Sequence, residues 1–238
     1  TVIGPGIEIG PGIAITSPPP VLGSALLNGT NQYLTATMPH APGTGAYTVE
    51  WWSNVSDWSN PTNLNFFDTR TGTTDTAGFS VNMVGNQLRY RVSGTLGTAA
   101  SYGGMSLNNW YHMAAVRSGS TNKLYINGSL SITVTDGGDL SRSALTIGKA
   151  FDNSYFNGYI SNFRYVQGVA VYTGNFTPPT QPLNATQPAG TNISAISAGQ
   201  TNLLLNTPNN AYNLTDTSSY SVAVTNNNGV TSSAATPF

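Results

Sequence analysis

The chain has 238 residues, a formal net charge of −1 and only 7% charged residues, against about 25% in ordinary globular domains. That length suits one large β domain with a sizeable core. The neutral balance lacks any Lys/Arg cluster and argues against nucleic-acid binding, and the absence of cysteine excludes disulfides, thiol catalysis and cysteine metal sites. No apolar run reaches the roughly 18 residues of a membrane span. Solubility falls to neutral groups, 26 Asn among them. Such a surface fits subunits that cover one another, an extracellular or virion setting, or simply a coat of Asn, Ser and Thr.

Residues 1–20 differ from the rest. Ile3-Gly4-Pro5-Gly6-Ile7-Glu8 is repeated as Ile9-Gly10-Pro11-Gly12-Ile13-Ala14, and Ile15 begins a third copy. Each Gly-Pro-Gly breaks the chain, and Ile7 and Ile9 share a face of an extended segment, as do Ile13 and Ile15. Two copies cannot make a core, so Ile3, Ile7, Ile9, Ile13 and Ile15 need a partner. The segment reads as an oligomerisation or attachment arm; the alternative is an N-terminal strand on its own domain. Ser17-Pro18-Pro19-Pro20 is a stiff extended linker. The first residues lack the basic region and apolar core of a signal peptide. A start at Thr1 fits Met removal, leader cleavage or truncation.

From residue 21 to 238 the pattern is that of short strands. Ala25–Leu34 predicts a strand pair, and Tyr47–Trp52 a strand whose adjacent Trp51 and Trp52 point to opposite faces. Asn63–Asp68, Gly78–Val84 and Gln87–Val92 predict three more, with a turn at Gly85-Asn86 and with Arg89 and Arg91 opposite Tyr90 and Val92. Gly94–Gly104 reads as a loop. In Trp110–Arg117, Trp110, His112, Ala114 and Val116 alternate with Tyr111, Met113, Ala115 and Arg117. Asn127-Gly128 between two alternating runs is a hairpin signal, since both residues tolerate positive φ. Leu145–Gly148 and Phe156–Phe163 continue the series. Leu183–Gln200 reads as a polar surface connection, Asn202–Asn206 and Tyr220–Val224 as strands, and Asn228-Gly229 as a turn. No helical periodicity is long enough for a helix.

The order of these pieces resembles a laminin-G-like, concanavalin-like jelly roll. Trp110-x-His112-x-Ala114, Leu124-Tyr125-Ile126-Asn127-Gly128, Leu145-x-Ile147-Gly148 and Phe156-x-Gly158-x-Ile160 follow the family series W-x-H-x-A, L-Y-[IV]-[DN]-G, L-x-[IL]-G and F-x-G-x-[IL]. Tyr47-Thr48-Val49-Glu50-x-Trp52 resembles the family's F-T-[IV]-E-x-W. Arg164, Gly168, Ala170, Tyr172, Phe176, Pro178 and Pro179 resemble a tail common after such domains in tailed-phage structural proteins. The resemblance covers about Leu22 to Phe238. It implies an all-β, two-sheet antiparallel jelly-roll sandwich.

That fold also hosts glucanases, and retaining glycosidases need two carboxyl groups about 5 Å apart. The glucanases carry them as E-x-D-x-x-E. Only Glu8 and Glu50 are present, neither begins that motif, and no other catalytic motif appears. No catalytic residues are expected. Relatives often bind calcium through Asp side chains and carbonyls, and hard cations want several anionic oxygens. Here Asn28, Asn31 and Asn127 stand where the family often has Asp. Asp152 and Asn153 remain candidate calcium ligands, with Asp136 and Asp139 a second option; the alternative is that these residues shape turns. Trp58, Tyr102 and Tyr155 are candidate glycan platforms on loops, or else packing residues.

The leading expectation is a non-catalytic virion structural protein of a tailed phage, a capsid decoration or a tail or fibre component. It would meet other virion subunits or copies of itself through the arm, and cell-surface glycans through the jelly roll. The alternatives are a subunit of a secreted bacterial filament or surface layer, at the cell surface, and a free carbohydrate-binding lectin.

Overall fold

A computed structural model describes residues 23–58, 63–206 and 214–238. The arm, with Ile3, Ile7, Ile9, Ile13 and Ile15, lies outside them. The described strands are β1 Ser24–Asn28, β2 Tyr33–Thr37, β3 Tyr47–Val55, β4 Asn63–Asp68, β5 Phe79–Val84, β6 Gln87–Val92, β7 Thr95–Ala99, β8 Trp110–Ser118, β9 Thr121–Ile126, β10 Ser129–Thr135, β11 Ala144–Ile147, β12 Asn157–Gln167, β13 Thr201–Leu205, β14 Val224–Asn227 and β15 Thr231–Ser233. Two antiparallel sheets form the expected jelly-roll sandwich. The eight-stranded sheet runs β10-β9-β8-β3-β12-β1-β15, with β13 beside the second half of β12; the seven-stranded sheet runs β14-β2-β11-β4-β5-β6-β7. Among the described residues, helix is confined to the 3-10 turns Ser101–Gly104 and Ala198–Gln200.

Alternation along each strand builds the core between the sheets. Tyr47, Val49 and Trp51 of β3 face inward, as do Met113 and Ala115 of β8 and Leu88, Tyr90 and Val92 of β6. Trp51 is wholly buried, with ring centroids 5.3 Å from Phe67, 5.8 Å from Phe66 and 6.2 Å from Phe163. The Asn127-Gly128 hairpin joins β9 to β10, with φ of 47° and 76°.

The outer face of the eight-stranded sheet is also buried. Segment 168–200, expected in part as a surface connection, crosses it. Val171, Tyr172 and Ile196 pack there on Ala114, Val116, Tyr125 and Val166. The Thr48 hydroxyl donates to the Val169 carbonyl at 3.1 Å and accepts the Val171 N–H at 2.9 Å. The Phe176 N–H donates to the Gly128 carbonyl at 3.0 Å, and a Cβ at Gly128 would overlap the Phe176 carbonyl oxygen. His112 is fully buried, beneath this cover rather than between the sheets. Trp52, on the same outer face, is covered in part by Phe238, centroids 5.7 Å apart.

Glu50 sits at the centre of that covered face. Arg164 donates to its Oε1 through Nη2 at 2.6 Å and Nε at 2.9 Å. The Tyr172 hydroxyl donates to Oε2 at 2.6 Å, and His112 Nε2 lies 3.1 Å from the same oxygen. Arg164 continues to the Asn184 carbonyl and the Gln187 side chain, both at 2.6 Å. Burial acts to raise the Glu50 pKa, but Arg164, His112 and Tyr172 together bring it down to about 2.

Two local expectations are corrected. Gly94–Gly104 is not a loop throughout, because Thr95–Ala99 forms edge strand β7. Gly97 makes this fit: a Cβ there would lie 2.5 Å from Ile132 Cγ2 and 2.6 Å from Val134 Cγ2 of the facing sheet. Tyr220–Val224 is not a strand. The Asp216 carboxylate accepts the N–H groups of Leu204 at 2.8 Å, Ser218 at 2.9 Å and Val222 at 2.8 Å, winding the chain around itself, and the strand starts at Val224.

Removing one partner of a buried ion pair costs about 3–5 kcal/mol, so Arg164→Met is expected to lower unfolding free energy by that amount in urea at pH 7. Glu50 has a depressed folded pKa, so its contribution is present above its ordinary value of 4.5 and is lost as pH falls toward about 2. Urea titrations from pH 5 to about 2 should show this loss, on the order of 3 kcal/mol, and Glu50→Gln should flatten it.

Candidate functional site

With one sheet covered, the outer face of the seven-stranded sheet carries a different chemistry. Register places one continuous row across all seven strands: Thr225 opposite Thr35, then Thr146, Asp68, Ser80, Arg91 and Leu96. A second row sets Asn65 opposite Asn82, then Arg89 and Thr98. Every member but Leu96 is polar. The core-facing residues between them, such as Val81, Leu88 and Tyr90, are apolar, so strand alternation assigns this chemistry to the outside.

Two features describe these rows. First, Asn65 and Ser80 are fully buried, yet both amide atoms of Asn65 and the Ser80 hydroxyl lack a hydrogen-bond partner, and so does the buried Nε of Arg89. Such groups are rare, because each forgoes its bonds to water. Second, charge collects here. Arg70 grips Asp68 with Nε at 2.9 Å and Nη2 at 2.8 Å, and its guanidinium carbon lies 5.0 Å from the Phe151 ring centroid. Burial raises the Asp68 pKa, against the pull of Arg70. Arg89 and Arg91, both half-buried, pair with no carboxylate among the described residues. Arg91 donates to the Gly94 carbonyl at 2.9 Å, and Arg89 reaches Gln87 at 3.3 Å. Burial, then the neighbouring Arg70 and Arg89, lower the Arg91 pKa, while Asp68 acts against them.

The aromatic candidates separate into two groups at one end of the sandwich, where β3 and β7 finish and β2, β6 and β12 begin. Trp58 and Tyr102 stack on each other, centroids 4.6 Å apart at 16°, half-buried against the core. Each ring therefore has one face occupied. The turn that carries Tyr102 is held by its N–H to the Asn86 carbonyl at 2.7 Å. Tyr155 lies elsewhere, 6.2 Å from Tyr33, with the Lys149 ammonium 4.5 Å from the Tyr33 ring and 5.8 Å from that of Tyr155.

Asp152 and Asn153 are exposed in the turn between β11 and β12. Asp152 Oδ1 accepts the Ser154 N–H at 3.1 Å, and Asn153 has φ of 62°. Among the described residues no three His, Cys, Asp or Glu side chains cluster as metal ligands would. Asn28 and Asn127, at the family's Asp positions, likewise hold turns: Asn28 Oδ1 accepts N–H groups of Thr30, Asn31 and Gln32, and Asn127 Oδ1 that of His112.

Sequence reasoning placed Arg89 and Arg91 on one face, opposite Tyr90 and Val92, but gave them no role, and it passed over Asn65 and Ser80. The available signal was two of the chain's eight basic residues at a spacing of two on one strand. The pairing that brings Asn65 and Ser80 beside them is visible only in the folded sheet.

A laminin-G-type family model, described as the concanavalin A-like lectin/glucanases superfamily, matches residues 28–169. No curated protein matches the chain. Among solved structures, the chain is similar to a protein of Bacteroides ovatus ATCC 8483 described as a candidate carbohydrate binding protein, at 15% identity and a TM-score of 0.61, covering 89% of this chain. The chain spans only 60% of that structure's length. It is also similar to domains LG4-5 of the mouse laminin alpha1 chain, at 11% identity and a TM-score of 0.47, covering 67% of this chain and 47% of that one. Domain 4 of AbnA, a Geobacillus stearothermophilus extracellular arabinanase in complex with arabinotriose, gives 20% identity and 0.47, with 61% and 70% covered. At these identities the likeness is one of fold.

An unmet buried hydroxyl costs about 1–3 kcal/mol. Ser80→Ala should therefore leave the free protein as stable as before or more stable by about 1 kcal/mol in urea. A clear destabilisation would mean that the hydroxyl is bonded in the folded chain.

Proposed function

The chain belongs to the concanavalin A-like lectin/glucanases superfamily, matched over residues 28–169, and from that membership we propose that it is a non-catalytic glycan-binding module. The outer face of the seven-stranded sheet is the binding surface. The observation that carries this reading is the cluster of part-exposed side chains Asn82, Arg89, Arg91, Leu96 and Thr98 on neighbouring strands of that face. Saccharides present closely spaced hydroxyls that both donate and accept. Rows of amide, hydroxyl and guanidinium groups on a rigid sheet answer that pattern, and Leu96, 39% exposed at the end of one row, offers an apolar contact for a sugar ring. The buried carboxylate of Glu50 is engaged by Arg164, His112 and Tyr172 under the cover of the other sheet, and that of Asp68 by Arg70, which favours binding over hydrolysis.

The finer part of the proposal concerns residues 1–20. The I-G-P-G-I-x repeat attaches or oligomerises the module on a larger assembly by adding strands with alternate Ile side chains to a neighbouring chain. A tailed-phage virion is the assembly favoured by the Arg164–Pro179 motif. A secreted bacterial filament or surface layer is the second reading, favoured by the same arm and the low charge.

On a glycan array the full chain is expected to retain a defined set of saccharides, and Asn82→Ala to weaken retention at least tenfold, about 1.4 kcal/mol, without loss of fold. A folded protein that retains no saccharide, or retains it equally after Asn82→Ala, overturns the binding surface. Deleting residues 1–16 should leave the melting curve of the sandwich unchanged and reduce particle size in light scattering; an unchanged size rejects the arm.

A further inference from the structure

Arg89 and Arg91 give the outer face a chemical preference beyond glycan binding in general. We propose that the ligand is an acidic saccharide whose carboxylate or sulfate group is held between these two guanidinium groups; the inference rests on the glycan-binding reading and narrows it. Both side chains project from β6 at a spacing of two, so they stand on the same face in adjacent rows. Ser80 and Asn82 oppose them on β5, and Leu96 and Thr98 on β7.

The positive charge at this spot is in excess. Arg70 is matched by Asp68 in a two-point ion pair, whereas Arg89 and Arg91 meet no carboxylate among the described residues. Each retains unused donors. Arg91 spends one nitrogen on the Gly94 carbonyl and Arg89 makes one contact of 3.3 Å to Gln87, while Arg89 Nε is buried without any partner. A guanidinium presents five donors in a planar fork that fits carboxylate and sulfate oxygens. Holding two of them side by side, part-buried, costs mutual repulsion and lost hydration. A bound anion removes both costs, and the hydroxyls beside the anion in a saccharide would meet Asn82 and Thr98, the part-exposed neighbours of Arg89. An acidic peptide would satisfy the charges but not this neutral polar row, which is why the saccharide is favoured.

The test is isothermal titration of the full chain with matched pairs: 3′-sialyllactose against lactose, trigalacturonic acid against its methyl ester, and a heparin hexasaccharide against its desulfated form. A poly-glutamate peptide is the fourth arm and probes charge alone. At least one acidic member is expected to bind tenfold or more tightly than its neutral partner, with affinity falling as salt rises. The carboxylate and sulfate arms distinguish the two anion sources. Arg89→Gln and Arg91→Gln should each remove most of this preference while neutral-sugar binding persists, and Arg91→Lys should keep part of it. Melting curves check the fold of each variant, and Arg91→Gln serves if Arg89→Gln fails to fold. Equal affinity for acidic and neutral members, or a preference untouched by either substitution, overturns the acidic ligand and leaves glycan binding standing. No binding to any saccharide overturns both. Poly-glutamate binding as tight as that of the best saccharide overturns the saccharide and points to an acidic protein partner.

Discussion

A single buried carboxylate organises one whole side of this molecule. Glu50 lies on β3, Arg164 on β12, His112 on β8 and Tyr172 in the segment that crosses them, and the last three converge on the two oxygens of the first. An ion pair of this kind adds little net stability over a well-packed apolar cluster, because both charges leave water. What it adds is geometric demand. The carboxylate is tolerable only if every partner is in place, so the crossing segment has one acceptable path over the sheet. Thr48 fixes that path further by bonding to both sides of Ala170, and the stacked rings of Tyr172 and Phe176, 3.6 Å apart, close it against His112.

The seal has a consequence for the opposite sheet. A sandwich has two outer faces, and here one is spent on holding the cover. The seven-stranded sheet then carries the outward chemistry, and its composition differs accordingly. The covered face presents Ala114, Val116 and Val166 around one charge cluster, whereas the other presents unbroken rows of Thr, Asn, Ser, Asp and Arg. Asn65 and Ser80 could be Val or Ala at lower cost to folding, since buried groups without partners destabilise.

Much of the fold was legible in the sequence because alternation reports which residues share a face. It separated Trp51 from Trp52, Arg89 and Arg91 from Tyr90, and the two sets in Trp110–Arg117. The hairpin at Asn127-Gly128 was legible for a similar local reason, its need for positive φ. Alternation does not say what lies over a face. It places His112 on one face of its strand, yet its partner Glu50 is 62 positions away and Tyr172 60 positions away in the other direction. Gly97 hid β7 because a glycine in a strand normally weakens it; here the facing Ile132 and Val134 use the space. Asp216 hid a turn because a carboxylate that collects three N–H groups looks, in sequence, like any isolated Asp. The polar rows of the seven-stranded sheet were illegible for the same reason as the Glu50 hub, since they exist only across strands.

The low charge content gives the two arginines more weight than they would have elsewhere. In an ordinary domain, surrounding Lys, Asp and Glu would blur a local excess within a Debye length of about 8–10 Å. Here several of the nine acids are already committed: Glu50 to Arg164, Asp68 to Arg70, Asp75 to Arg142, and Asp216 to a ring of N–H groups. Neutralised locally, they contribute little field at a distance, and the Asn-rich surface adds none. Arg89 and Arg91 therefore stand as a positive site on a nearly neutral background, set into a rigid sheet. Electrostatic selectivity needs contrast as much as charge, and a chain with so few charges provides it with two residues.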